Sequence, residues 1–383
     1  MKKIHLLLIS FLSTYTVLAH ASVEEVIEND ESKNAEITVD FVLNNLMEKN
    51  KTETSFKRGF HNKANACLVA NFEVFEDIPD NFKQGFFAVP KSFAAWVRYS
   101  NGSPSNTSDK DKQPRALAVK VLGTQGPMLQ EEIGSNYSQD FLLANNPVFF
   151  LKSLNELVTD GIDFFNDKLF GIPFNTLSRF NNAATQPSNL LRTDFFSQSA
   201  YKLGNDQAVK YRLSACENNS SIKVDKNANN GIRVALYQGI SSKEQCYNFD
   251  IQLREDVDSM PIENPTVKWT SEFTTVGQLT ILQQGFNSTI QDDICEQLSF
   301  NPWHTIEAHR PLGALNRVRK MVYKLGSDKR RLSQEEPSTD SVEGFGQFYT
   351  VPELKGHFKP LGLFILCLIG FLRYRSKSVG RRA

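Results

Sequence analysis

Short apolar blocks set off by polar turns run through the middle of the chain, and they predict strands. Cys67–Val74 and Ala94–Tyr99 are rich in β-branched and aromatic residues. Ala116–Leu122 reads as a third strand, after the Gly-, Ser-, Asp- and Lys-bearing loop Asn101–Pro114. Asp140–Phe150 leads into a Phe-rich region, roughly 151–182, that reads as helical. Strand patterns return at 207–213, 232–237, 246–253 and 276–283. Leu315, Val318, Val322 and Leu325 then recur at helical spacing, with Gly326 as the predicted C-cap. Strands, helices, strands and a last helix predict an α+β domain around an antiparallel sheet or barrel. There is no internal repeat and no βαβ rhythm with a glycine-rich phosphate loop.

The two ends have a different pattern. Lys2 and Lys3 precede the apolar run Ile4–Leu12, and Ala19-His20-Ala21 offers small residues around a cut after Ala21. That is the layout of a secretory signal, residues 1–21. Residues 22–50 are acidic and polar and end in a predicted helix around Val39–Leu46; the folded domain, 51–331, is expected to begin near Arg58. Residues 332–350 read as a linker, Leu332–Glu343 being rich in Ser, Glu, Asp and Pro. In 351–383 an apolar run, Pro360–Leu372, is followed by Arg373, Arg375, Lys377, Arg381 and Arg382. The run is shorter than the ~20 residues of an ordinary span. Snorkelling by Lys359 and Arg373 would let it cross a thin bilayer with the basic end on the cytoplasmic side. It is also similar to bacterial C-terminal sorting tails. Both readings place the domain outside the cytoplasm and at least transiently on a membrane.

Composition narrows the classes further. The 383 residues, 40% hydrophobic, suffice for a large core. Forty-three basic and 43 acidic residues cancel, so net charge does not call for nucleic acid. Cys67, Cys216, Cys246 and Cys295 lie in the exported part, where disulfides persist. None has Cys-x-x-Cys spacing, which disfavours zinc. Cys216 and Cys246 flank a polar stretch that a bridge would close, but connectivity is not readable from spacing. The 29 Phe against 3 Trp suit a phenylalanine-lined cavity and an ordinary core equally.

Three segments carry candidate chemistry. In Asn316–Tyr323, NRVRKMVY, Arg319 and Tyr323 are four apart and share a helix face. A guanidinium beside a phenol favours the phenolate, a hard ligand for ferric haem iron; the same pattern also suits an ordinary surface helix. Arg58-Gly59-Phe60-His61 puts a histidine just before the first strand, and histidine is the usual general base near neutral pH. Val97-Arg98-Tyr99-Ser100 offers a guanidinium and a hydroxyl. Leu142–Phe150 embeds Asn145 and Asn146 among apolar residues, where an amide is either hydrogen-bonded structure or a polar group directed into a pocket.

Taken in order, these segments resemble the catalase superfamily over roughly residues 50–331. RGFHNKANACLVANFEV is similar to the segment with the distal histidine, WVRYS and PRALAVKV to the strands that follow. LLANNPVFF resembles the distal asparagine segment, and FNPWH through RVRKMVY the proximal tyrosine segment. SQSAYKLGNDQAVKYRL and MPIENPTVKW are more similar to the compact catalase-related haem proteins than to full-length catalases. The resemblance implies haem b against an eight-stranded antiparallel β-barrel with surrounding helices. Tyr323 would ligate iron, held as phenolate by Arg319. His61 would be the distal base, its ring oriented by Ser100. Arg58, Arg98 and Arg330 would pair with the haem propionates, and Asn145 would be the distal amide. Full-length catalases have one more residue between the asparagines and the proline, so Asn146 is the alternative.

The implied activity is cleavage of hydrogen peroxide or an organic hydroperoxide through a ferryl intermediate. A second peroxide would then make the chain a catalase, a small organic reductant a peroxidase. Rearrangement of a fatty-acid hydroperoxide would make it an allene-oxide-type enzyme. A non-enzymatic haem-binding protein and a haem-free lipid-binding barrel are the other classes, and a carrier has no need of the His61–Ser100 pair. Between Ala21 and Arg58 the sequence shows none of the arms that narrow the channel of full-length catalases. Peroxidase chemistry is therefore expected to outweigh catalase chemistry.

Overall fold

The computed structural model describes residues 23–103, 108–130, 137–287 and 289–331. The signal sequence, the linker and the C-terminal tail lie outside the described residues.

Period-2 alternation builds the centre of the molecule. β1 (Ala64–Val74), β2 (Lys91–Asn101), β3 (Arg115–Leu122) and β4 (Ser138–Ala144) pair antiparallel in that order. β5 (Phe195–Phe196), β6 (Tyr201–Leu203), β7 (Gln207–Ala215), β8 (Gln245–Leu253) and β9 (Phe273–Ile281) follow. β9 pairs with both β8 and β1, and the short β5 pairs with both β4 and β7. The sheet therefore closes into an eight-stranded antiparallel barrel, with β6 continuing beside β7. Ala66, Leu68, Ala70 and Phe72 of β1 meet Val97 and Tyr99 of β2 and Phe249 of β8 inside it. The Phe141 and Phe249 rings pack at 4.6 Å there.

Helices cover the barrel. α1 (Glu31–Asp40) runs through a π-helical stretch, Phe41–Leu46, into α2 (Met47–Lys49). α3 (Leu154–Glu156), α4 (Ile162–Phe165) and α5 (Phe174–Ala183) lie between β4 and β5. α6 (Gly231–Ser242) joins β7 to β8, and α7 (Thr289–Gln297) and α8 (Ala314–Arg331) follow β9. The predicted strand 232–237 is thus helix. Ile232, Ala235, Leu236, Gly239 and Ile240 are its buried face, and a six-residue window is too short to show that 3.6-residue period. Gly326 is interior to α8 rather than its cap. It is buried near Met47 and Leu43, where the N-terminal helix approaches.

That helix belongs to the domain, although its sequence is polar. Phe41, Val42 and Leu46 are buried against Phe60, Phe165 and Val322. Arg317 on α8 binds Glu31 through both carboxylate oxygens, at 2.6 and 2.7 Å, and also reaches Glu25 and Glu263. Arg317→Ala would leave three carboxylates facing one another. We expect a loss of about 2–3 kcal/mol in urea unfolding, below the ~3–5 of a fully buried pair because water partly screens the group. A change under about 0.5 kcal/mol, the scale of an ordinary surface substitution, would contradict that account of how α1 is held.

Two disulfides complete the frame. Cys67–Cys295 ties α7 to β1, and Cys216–Cys246 spans the segment holding α6. The second is the bridge the polar stretch allowed; the first gave no local sign.

Candidate functional site

The β1–β2 register builds the first half of the site. Ala64 lies opposite Ser100, with an irregularity between Ala64 and Ala66. Arg98 and Ser100, two residues apart, leave the outer face of β2, whereas Val97 and Tyr99 fill the barrel. His61 precedes β1 by three residues and so comes beside Ser100, with Nδ1 3.3 Å from its hydroxyl. Gly59 permits this, since a Cβ there would lie 2.8 Å from Val42 Cγ1. His61 itself has φ 55°, a left-handed conformation costing a side-chain-bearing residue about 1–2 kcal/mol. Such outliers concentrate at functional sites. Burial, and then the charges of Arg98, Arg319 and Arg58, push its pKa down to about 3. The ring is therefore neutral at ordinary pH and keeps a lone pair that can take up a proton.

α8 supplies the second half. Arg319 donates to the Tyr323 hydroxyl at 3.3 Å, with its guanidinium 5.1 Å from the ring centroid. Its other arm donates to Asn316 Oδ1 at 3.0 Å. Asn316 is fully buried; its Nδ2 donates to the carbonyls of Ala200 and Leu312, and Ser199 donates to its Oδ1. With every amide position used, Asn316 cannot turn, and it fixes the arginine beside the tyrosine. Burial works against charge on Arg319, but Tyr323 and Tyr201 outweigh it and hold its pKa above the usual value. Asn316 and Ser199 were not singled out from the sequence. Asn316 was findable, lying three residues before Arg319 and so on the same helix face.

Arg58, Arg98 and Arg330 converge on one residue the sequence did not mark, Glu296 at the end of α7. Arg58 binds its Oε2 at 2.8 Å and Arg98 its Oε1 at 3.4 Å, while Arg330 donates to its backbone carbonyl. Arg58 also donates to the carbonyls of Cys295 and Leu298. Burial raises the Glu296 pKa, but Arg58, Arg98 and Arg330 with Lys57 overcome this and hold it at about 2. Nε of Arg98 is buried and has no acceptor among the described residues.

Asn145 is committed elsewhere. Its Oδ1 accepts from the Arg115 backbone at 2.8 Å and its Nδ2 donates to Thr185 Oγ1 at 2.6 Å. Asn146 Oδ1 lies 3.4 Å from the Val148 amide. Phe60, which precedes His61, packs edge-on against Phe165 at 4.9 Å, and Phe150 and Phe164 pack on Phe180. Most of these rings are only half-buried.

A haem needs an axial ligand, apolar walls and cations for two carboxylates. Tyr323 with Arg319, the phenylalanine rings and the three arginines are those kinds of group, and the orphaned Nε of Arg98 is what a carboxylate would satisfy. The residues fit. A separate small pocket of about 140 Å³, lined by Pro147, Gln198, Lys210, Arg212, Lys268 and Trp269 among others, contains none of them.

No family model and no curated protein matches the chain. Among solved structures, a fungal catalase superposes with a TM-score of 0.54 at 16% identity, covering 80% of this chain and 70% of its own. A bacterial catalase gives 0.51 at 17% identity, covering 80% of this chain and 66% of its own. At such identity the likeness establishes the fold: this chain has the catalase barrel with its flanking helices.

Proposed function

We propose that the chain is a haem-dependent oxidoreductase acting on hydrogen peroxide or organic hydroperoxides, with peroxidase turnover exceeding catalase turnover. The observation that carries this reading is the pair of contacts His61–Ser100 and Arg319–Tyr323, with burial and then Arg98, Arg319 and Arg58 keeping the His61 pKa low. Tyr323 would hold the iron of haem b, and Arg58, Arg98 and Arg330 would take its propionates. Bound there, haem supplies the redox centre for O–O cleavage. His61 accepts the proton of the incoming peroxide and returns it to the departing oxygen. Ser100 keeps the ring in the orientation for both transfers. Asn146 is the better candidate for the directed amide, because Asn145 spends both ends of its side chain on Arg115 and Thr185.

The preference for organic co-substrates rests on the aromatic wall. The turn between the helices carrying Phe164, Phe165 and Phe180 leaves Leu169 and Phe170 in solvent, Phe170 wholly so, and Phe174 at the start of α5 is exposed beside them in sequence. An apolar approach of this kind suits an organic reductant. It also suits a fatty-acid hydroperoxide, which keeps an allene-oxide-type rearrangement as the second reading. Measured side by side, turnover of a dye reductant should exceed oxygen evolution from peroxide alone. Vigorous oxygen release with negligible dye oxidation would mean catalase, and turnover of a lipid hydroperoxide without reductant would mean rearrangement.

Export and membrane attachment belong to the same proposal. The two disulfides favour an oxidising compartment, and the apolar run with its arginine cluster favours an anchor. Deleting residues 351–383 should leave folding and haem binding intact and move the protein from the membrane fraction to the soluble exported fraction. A truncated protein that still pellets with membranes would rule the tail out as anchor.

A further inference from the structure

We infer that Glu296 is the built-in counter-ion of a three-arginine clamp, setting both its geometry and its charge for a dicarboxylate. The inference deepens the haem reading and rests on it. Three guanidiniums from separate parts of the chain meet here: Arg58 before β1, Arg98 on β2 and Arg330 at the end of α8. Left alone they repel one another in a poorly hydrated site. The end of α7 opposes this in two ways. Its last carbonyls, unpaired within the helix, accept from Arg58 and Arg330, and the Glu296 carboxylate takes Arg58 and Arg98.

Charge then favours an anionic ligand. Lys57 and Arg331 add to the positive charge of the three guanidiniums around Glu296, and Nε of Arg98 still lacks an acceptor among the described residues. Burial and Arg58 pull the pKa of Arg98 down to about 9, and Glu296 is the group that resists the fall. The position of Glu296 is fixed covalently, because its neighbour Cys295 is bridged to Cys67 on β1. Glu296 is thus a positioning residue: it touches the arginines and orders them for the ligand.

The test separates the carboxylate clamp from iron ligation and from catalysis. The haem-free full-length protein is titrated with metal-free protoporphyrin IX and with its dimethyl ester, followed by fluorescence. The wild type should hold the free acid at least about tenfold more tightly than the ester, the scale of one charge-assisted hydrogen bond. Glu296→Gln should lose most of that discrimination by weakening the free acid while leaving the ester unchanged. Glu296→Asp, which keeps the charge, should restore much of it and serves if the glutamine variant folds poorly. A Glu296→Gln protein that binds the free acid as tightly as wild type, or more tightly, would overturn the role of Glu296 alone. Wild-type protein that does not discriminate between the two porphyrins would overturn the clamp together with the haem reading.

Discussion

Tyr323→Phe should lose haem. The substitution removes the one anionic ligand proposed for the iron and leaves the half-buried Arg319 beside an apolar ring, bonded only to Asn316 of its two present α8 partners. Losing a hydrogen bond that supports a metal ligand costs roughly 10–100-fold in affinity, and losing the ligand should cost more. The barrel does not depend on this hydroxyl, since its core is built from Phe72, Phe141, Phe249 and their neighbours. The variant should therefore fold and be recovered nearly colourless. Unchanged haem content with an unchanged spectrum would exclude Tyr323 as the ligand.

His61→Ala should keep haem and slow its reaction with peroxide. Loss of positioned acid–base help commonly costs a factor on the order of 10²–10⁴. Removing the ring should also relieve the left-handed strain only slightly, so stability should change little. The pH dependence has a definite sign. A base must be unprotonated to act, and the His61 pKa is lowered to about 3 by burial and by Arg98, Arg319 and Arg58. The wild-type rate should therefore stay level as pH falls from neutrality and drop only as pH approaches that value. A stopped-flow trace showing the original rate in the alanine variant would make His61 structural. A wild-type rate that already halves near pH 6.5 would show that burial and the arginines do not govern this ring.

How much of this was legible depended on whether the information was local. β1, β2 and β3 showed as short apolar runs rich in β-branched and aromatic residues, and the Arg319–Tyr323 pair in a four-residue spacing. His61 and Ser100 lie 39 residues apart and were joined only by a family resemblance; the structure gives the reason in the β1–β2 register. The strand assigned to 232–237 failed because six apolar-rich residues fit both periods. The N-terminal helix read as part of a polar segment because its burial is confined to a few positions, and Arg317, nearly 290 residues away, neutralises its first residue, Glu31. Glu296 had no signal at all. A glutamate on a short helix is ordinary until Arg58, Arg98 and Arg330 are folded around it. Asn145 marks the other limit: the segment was identified, but which of two adjacent amides was already engaged could be seen only once Arg115 and Thr185 were beside it.

The central claim is that this barrel carries a tyrosinate-ligated haem, and one measurement tests it most directly. The full-length protein, freed of haem, is titrated with haemin under an absorption spectrometer, with Tyr323→Phe run in parallel. The account predicts a Soret band that grows to saturation at one haem per chain in the wild type and fails to saturate in the variant. A wild-type protein whose spectrum remains that of free haemin would contradict it.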